Sequence, residues 1–148
     1  MPRRLILSVL AAFLLLTTVA RAEMPVFYSS GGAAIGGYDT VAYFTSGKAV
    51  RGTPELAVMW KGAVWLFASA RNREIFERNP RAYAPQYGGY CAYAMSRGMA
   101  SGTNPEAWKI VDGKLYLIHN LNYMKVWQRD PPQYIALSDE IWPGPLGH

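Results

Sequence analysis

The chain has 148 residues, with 15 lysines and arginines against 10 aspartates and glutamates, a formal charge of +5 and a single cysteine. Three of the arginines fall within the first 22 residues, so the remainder carries only +2 and has no basic stripe interleaved with aromatics, which argues against a nucleic-acid partner. One cysteine cannot form an internal disulfide, and the residues after 22 suffice for one domain with its own core rather than two, so the fold must stand on packing.

Arg3 and Arg4 precede an uncharged apolar stretch from Leu5 to Val19, and "ARA" at 20–22 places small residues around a cleavage point. This is the three-part layout of a secretory signal peptide over residues 1–22, with the mature chain starting at Glu23. The expected location is periplasmic or secreted, with no membrane span once the signal is removed, because the stretch is short of the ~20 apolar residues that a spanning helix needs. "PRRLIL" also loosely resembles a twin-arginine signal, although the strongly apolar stretch fits the ordinary secretory route better. Residues 23–37 end in "SSGGAAIGG", a glycine and serine density that predicts a flexible leader.

The domain proper is expected over residues 38–143, with a short tail at 144–148. Asp39 is placed to cap a short turn of helix. "LAVMWKGAVWLFAS" is two apolar runs around Lys61 and Gly62 and predicts a hairpin, with Trp60, Trp65 and Phe67 facing inward. Ser69 then caps "ARNREIFER", a helix with Ile75 and Phe76 turned to the core, which Asn79 and Pro80 stop while beginning another turn. "AWKIVDGKLYLI" brackets Asp112 and Gly113 with alternating apolar residues, the strongest hairpin signal in the chain. Asn120 caps "LNYMKVWQR", with Leu121, Met124 and Trp127 at three-residue spacing. Asp130, followed by Pro131 and Pro132, opens a last helix with Tyr134, Leu137 and Ile141 on one face. Hairpins alternating with short helices, without a βαβ rhythm, predict a small single α+β domain of antiparallel hairpins packed with short helices. No internal repeat is evident at this level.

The segment "WLFASARNREIFERNPRAY" resembles the signature of YHS domains, small domains associated with heavy-metal handling. Phe67, Ser69, Phe76, Pro80 and Tyr83 fall where that pattern wants them, and "GYDTVAYF" resembles the segment that in metal-binding members reads Asp-Pro-Val-Cys-Gly-Met. Residues 36–143, including "YAPQYGGYCAYA" and "IVDGKLYL", are similar to exported bacterial YHS-domain proteins. The three cysteines of the metal-binding pattern fall here on Ala42, Ala68 and Asn72. None of these replaces a thiolate, so the family's metal role does not carry over to those positions.

Cys91 lies outside that lost set, within "QYGGYCAYAMSRG". Met95 and Met99 follow it at four and eight residues, so on one continuous helix the three sulfurs would share a face and suit Cu(I), making copper the candidate metal. Gly88, Gly89 and Gly98 argue against such a helix. Against the metal reading stand a structural one, in which Cys91 and the methionines fill the core, and a nucleophilic one, for which only His119 and His148 are available as bases. His119, next to Asn120 at a strand end, reads as a turn residue. Tyr83, Tyr87, Tyr90 and Tyr93 offer a different class of function, a surface for a protein or small-molecule partner around a purely structural cysteine. Phosphate-binding, zinc-helix and haem-attachment motifs are absent from the sequence, so it reads as a binding module rather than an enzyme.

Overall fold

The computed structural model describes residues 24–142. The signal peptide expected over 1–22 and the tail at 144–148 lie outside the described residues. Among those residues the chain is a small α+β domain of three two-stranded antiparallel sheets and six helices. β1 (Ser29–Ser30) and β2 (Ala33–Ala34) pair first, followed by α1 (Ala42–Thr45). β3 (Thr53–Trp60) and β4 (Ala63–Phe67) form the second sheet, then come α2 (Ala70–Arg78), α3 (Pro80–Tyr83) and α4 (Ala92–Met95). β5 (Asn104–Val111) and β6 (Lys114–Ile118) form the third, and α5 (Leu121–Trp127) and α6 (Pro131–Ile141) close the chain. No helix among the described residues is long and apolar enough to cross a membrane.

Residues 24–37 are not a flexible leader. Phe27, Ala33, Ala34 and Ile35 are buried, the Tyr28 amide donates to the Gly88 carbonyl at 2.8 Å, and Phe27 packs edge-on against Trp65. The glycines that suggested a linker instead make turns: Gly31 and Gly32, both with positive φ, connect β1 to β2 as a tight hairpin. The apolar residues interleaved with them carry the segment into the core.

A repeat that the sequence alone did not reveal organises the rest. The β3–β4 register (Thr53 opposite Phe67, Ala57 opposite Leu66, Val58 opposite Trp65) recurs 51 residues later in β5–β6 (Asn104 opposite Ile118, Trp108 opposite Leu117, Lys109 opposite Tyr116), with the bulge at the same place. The turns match as well, with φ 47 and 77° at Lys61 and Gly62 and 50 and 73° at Asp112 and Gly113. Ser69 caps α2 by accepting the Asn72 amide, and Asn120 caps α5 by accepting the Tyr123 amide. Asn79 and Asp130, both at φ −152°, precede the prolines that begin α3 and α6. Further upstream, Ile35–Gly37 and Tyr87–Gly89 are each three successive left-handed residues. Identities such as Pro54/Pro105, Glu55/Glu106, Gly62/Gly113, Leu66/Leu117 and Tyr83/Tyr134 are too sparse to be seen without the registers that align them.

Each unit builds its own core. In the first, Trp65, Phe67 and Phe76 are fully buried, with Trp60 and Ile75 packed part-buried against them; in the second, Tyr116, Ile118 and Trp127 take the same places. Ile35 and Tyr43 of the first unit meet Leu115 and Leu117 of the second in a third cluster that joins the two. Two helix faces differ from expectation. Leu121 is exposed, leaving Met124 and Trp127 as the inward residues of α5, and Leu137 and Ile141 of α6 are also exposed. The inner face of α6 is Tyr134, Ile135 and Ser138, because the helix docks through hydrogen bonds: Ser138 Oγ donates to the Ala92 carbonyl (2.9 Å) and Asp139 accepts from Tyr87 (2.8 Å).

Candidate functional site

A cleft of about 460 Å³ opens in the second unit, lined among others by Cys91, Tyr93, Arg97, Met99, His119 and Tyr123. Three elements supply these residues. Cys91 precedes α4 as its N-cap, and its Sγ accepts the Ala94 amide at 3.4 Å and the His119 amide, at the end of β6, at 3.2 Å. The sulfur therefore ties a helix start to a strand end. Cys91 itself is fully buried.

His119 is exposed, and its Nδ1 lies 2.8 Å from the Gly102 carbonyl oxygen. A carbonyl only accepts, so Nδ1 carries the hydrogen, and in the neutral ring Nε2 is left with its lone pair. One wall is aromatic: Tyr93 stacks on Tyr123 at 5.1 Å and 20° between planes, and His119 lies 6.2 Å from the Tyr123 ring. The Arg97 guanidinium sits over the Tyr93 ring, 5.9 Å from its centroid. No carboxylate among the described residues lines the cleft.

The three expected sulfurs divide. α4 ends at Met95, and the chain then turns through Gly98 at φ +76°, with the Gly98 amide bonded to the Met95 carbonyl and the Met99 amide to the Ala94 carbonyl. This glycine-terminated helix end breaks the continuous face that would have aligned them. Met95 is buried in the core beside Cys91, while Met99 is exposed and lines the cleft. Cys91 and Met99 thus share a cavity and Met95 stands behind it.

The four tyrosines do not form one surface. Tyr83 packs edge-on against Phe44 in the first unit. Tyr87 is buried and donates to Asp139, and Tyr90 is buried with its hydroxyl on the Pro25 carbonyl at 2.8 Å. Only Tyr93 lines the cleft. Burial, reinforced by the Asp139 carboxylate, pushes the Tyr87 hydroxyl well above the ordinary tyrosine range; burial also raises Tyr43, and it pushes Tyr116 up to about 12. Raised values keep these protons on the folded chain while an unfolded tyrosine loses its own near pH ~10. Stability is therefore expected to hold below about pH 10 and to fall as pH rises beyond it. A urea midpoint series on the alkaline side, run with phenolate absorbance, checks this; a midpoint unchanged well above that pH would contradict it.

In the sequence His119 is available only as a base for a nucleophilic Cys91 and otherwise reads as a turn residue, and Tyr123 reads as part of a capped helix. The signal that finds them is the repeat, since they stand where the first unit has Ala68 and Asn72. In that unit Ala42, Ala68 and Asn72 converge on one point: the amides of Ala42 and Ala68 and the Asn72 side chain all donate to the buried Asp39 carboxylate, at 3.1, 2.8 and 2.8 Å. With the Val41 amide added at 2.9 Å, that carboxylate is surrounded by donors, which is the opposite of a ligand set for a cation. No group of three or more histidines, cysteines or acidic residues placed to hold a metal occurs among the described residues. Comparison with family models, with curated proteins and with solved structures finds no match to this chain.

Proposed function

We propose that the protein is an exported binding module that holds a soft metal ion, Cu(I), in the cleft of its second unit. The observation that carries this reading is a convergence: the only cysteine of the chain, the only histidine among the described residues and an exposed methionine line the same cavity. Thiolate, thioether and imidazole are the donors that Cu(I) prefers. The His119 ring is already turned as metal-bound histidines usually are, with Nδ1–H on a carbonyl and Nε2 bare. Export rests on the pattern of residues 1–22. The YHS resemblance rests on the sequence pattern of residues 36–143 alone.

Competition against a Cu(I) chelator tests the reading. The parent is expected to retain Cu(I), with affinity rising with pH because the thiol proton must leave for the metal to bind. Cys91→Ser should abolish retention and Met99→Leu weaken it, whereas Met95→Leu, a change in the core, should leave it intact. A parent that loses all copper to a weak chelator would end the metal reading.

A second reading has a specific observation behind it. The cleft volume lies within the ~300–1,000 Å³ typical of small-molecule pockets, and the Tyr93–Tyr123 stack with Arg97 beside it suits a small planar anion. Under that reading Cys91 is structural, Cys91→Ser leaves binding unchanged, and Arg97→Ala removes it.

A further inference from the structure

Cys91 occupies in the second unit the place that Asp39 occupies in the first. Each follows a left-handed Gly-Gly pair and a tyrosine, and each accepts the amide three residues on, from Ala42 at 3.1 Å or from Ala94 at 3.4 Å. Each also accepts the first amide beyond the second strand of its hairpin, Ala68 at 2.8 Å or His119 at 3.2 Å. Their own amides donate to equivalent carbonyls, Val50 at 2.8 Å and Ser101 at 3.0 Å. One acceptor in each unit therefore staples the same helix start to the same strand end.

We infer that the chain is a fused duplication of one hairpin-and-helix unit, in which the two staples have diverged into a sealed structural lock and an open ligand site, and that His119 and Tyr123 decide the difference. In the first unit Asn72 reaches from α2 and caps the carboxylate with its amide, leaving no acceptor free. In the second unit the equivalent Tyr123 is 44% exposed and stacked on Tyr93, and the buried sulfur accepts only the Ala94 and His119 amides, with no side-chain donor from α5 to match Asn72. The residue next to the staple changes from Ala68, which offers only its backbone, to His119, which keeps that backbone bond and adds an imidazole at the cleft. The duplication thus assigns His119 and Tyr123 as the specificity-determining pair of the site. The identity of the ligand as a soft metal ion rests on the function proposed above; the equivalence of the two staples does not.

A double-mutant cycle that contains no metal tests the equivalence. Cys91→Asp alone places a carboxylate where only two amides donate, and is expected to lower the urea midpoint clearly. Adding Tyr123→Asn supplies the missing side-chain amide in the geometry of Asn72, and should restore most of that loss. Tyr123→Asn in the parent should give no such gain. Equal shifts from Tyr123→Asn in both backgrounds, or a double variant that remains unfolded, would overturn the equivalence. His119→Ala, which installs the residue of the first unit and keeps the amide on Cys91, should leave the urea midpoint near that of the parent and weaken Cu(I) retention by at least about tenfold. Unchanged Cu(I) retention in that variant would remove His119 from the site. A parent without Cu(I) retention overturns the metal alone, and the cycle still reports on the duplication.

Discussion

Replacing Asp39 with alanine is expected to lower the stability of the domain by about 3 to 5 kcal/mol, because several neutral N–H groups lose one shared buried acceptor. The side chain is fully buried, and its two oxygens accept four N–H groups. Oδ1 takes the amides of Val41 and Ala42 and so fixes the start of α1. Oδ2 takes the Ala68 amide at the end of β4 and the Asn72 side chain on α2. Alanine leaves these donors inside the protein without acceptors, each at a cost of about 1–3 kcal/mol, partly relieved by relaxation and by water entering. Asn72→Ala removes only one donor to a carboxylate that keeps three others, and should cost about 1 kcal/mol. Urea unfolding of the two variants checks the order: an Asp39→Ala loss no larger than that of Asn72→Ala would mean that the carboxylate does not hold α1, β4 and α2 together.

The elements were legible because they are set by local chemistry. Lys61-Gly62 and Asp112-Gly113 specify two-residue hairpin turns, and Ser69, Asn120 and Asp130 each accept the amide three residues on as a cap should. Errors arose where a local signal competes with tertiary packing. The glycines of residues 31–37 read as a linker because composition does not say whether a positive φ serves disorder or a turn; Phe27 and Ile35, buried beside them, decide for the turn. The apolar spacing of Leu137 and Ile141 marked a core face, yet α6 is docked by Ser138 and by the Tyr87–Asp139 pair.

The site was half legible. Cys91 and Met99 are conspicuous as residues, whereas His119, one of two candidate bases in the sequence, is placed beside the cysteine only because β6 carries its amide to a residue 28 positions away. The repeat was hidden for a related reason. What the two units share is register, caps and backbone handedness, and many sequences satisfy these. Phe76 and Trp127 fill the same place with different side chains, and Asp39 and Cys91 make the same two staple bonds with different atoms.

Phe76→Ala is expected to cost about 3 to 5 kcal/mol, the range for emptying a buried phenylalanine site. Its ring is fully buried and lies 5.0 Å from Phe67, 5.3 Å from Trp65 and 5.6 Å edge-on from Trp60. It is therefore the point at which α2 grips the β3–β4 hairpin, and alanine would leave three aromatic rings facing a void. The repeat supplies the comparison. Trp127 stands in the equivalent place on α5, fully buried against Tyr116 at 5.5 Å, but its Nε1 finds no acceptor among the described residues. Trp127→Phe installs the side chain of the first unit: it forfeits part of the packing and also removes an unpaired N–H whose burial costs about 1–3 kcal/mol. These two terms oppose each other, so Trp127→Phe should fall within about 1 kcal/mol of the parent while Trp127→Ala loses as much as Phe76→Ala. Urea melts of the three variants decide the matter. A Phe76→Ala domain as stable as the parent would refute the packing of α2 on its hairpin, and a Trp127→Phe loss matching Trp127→Ala would show that the indole, and not merely a large ring, is what the second core requires.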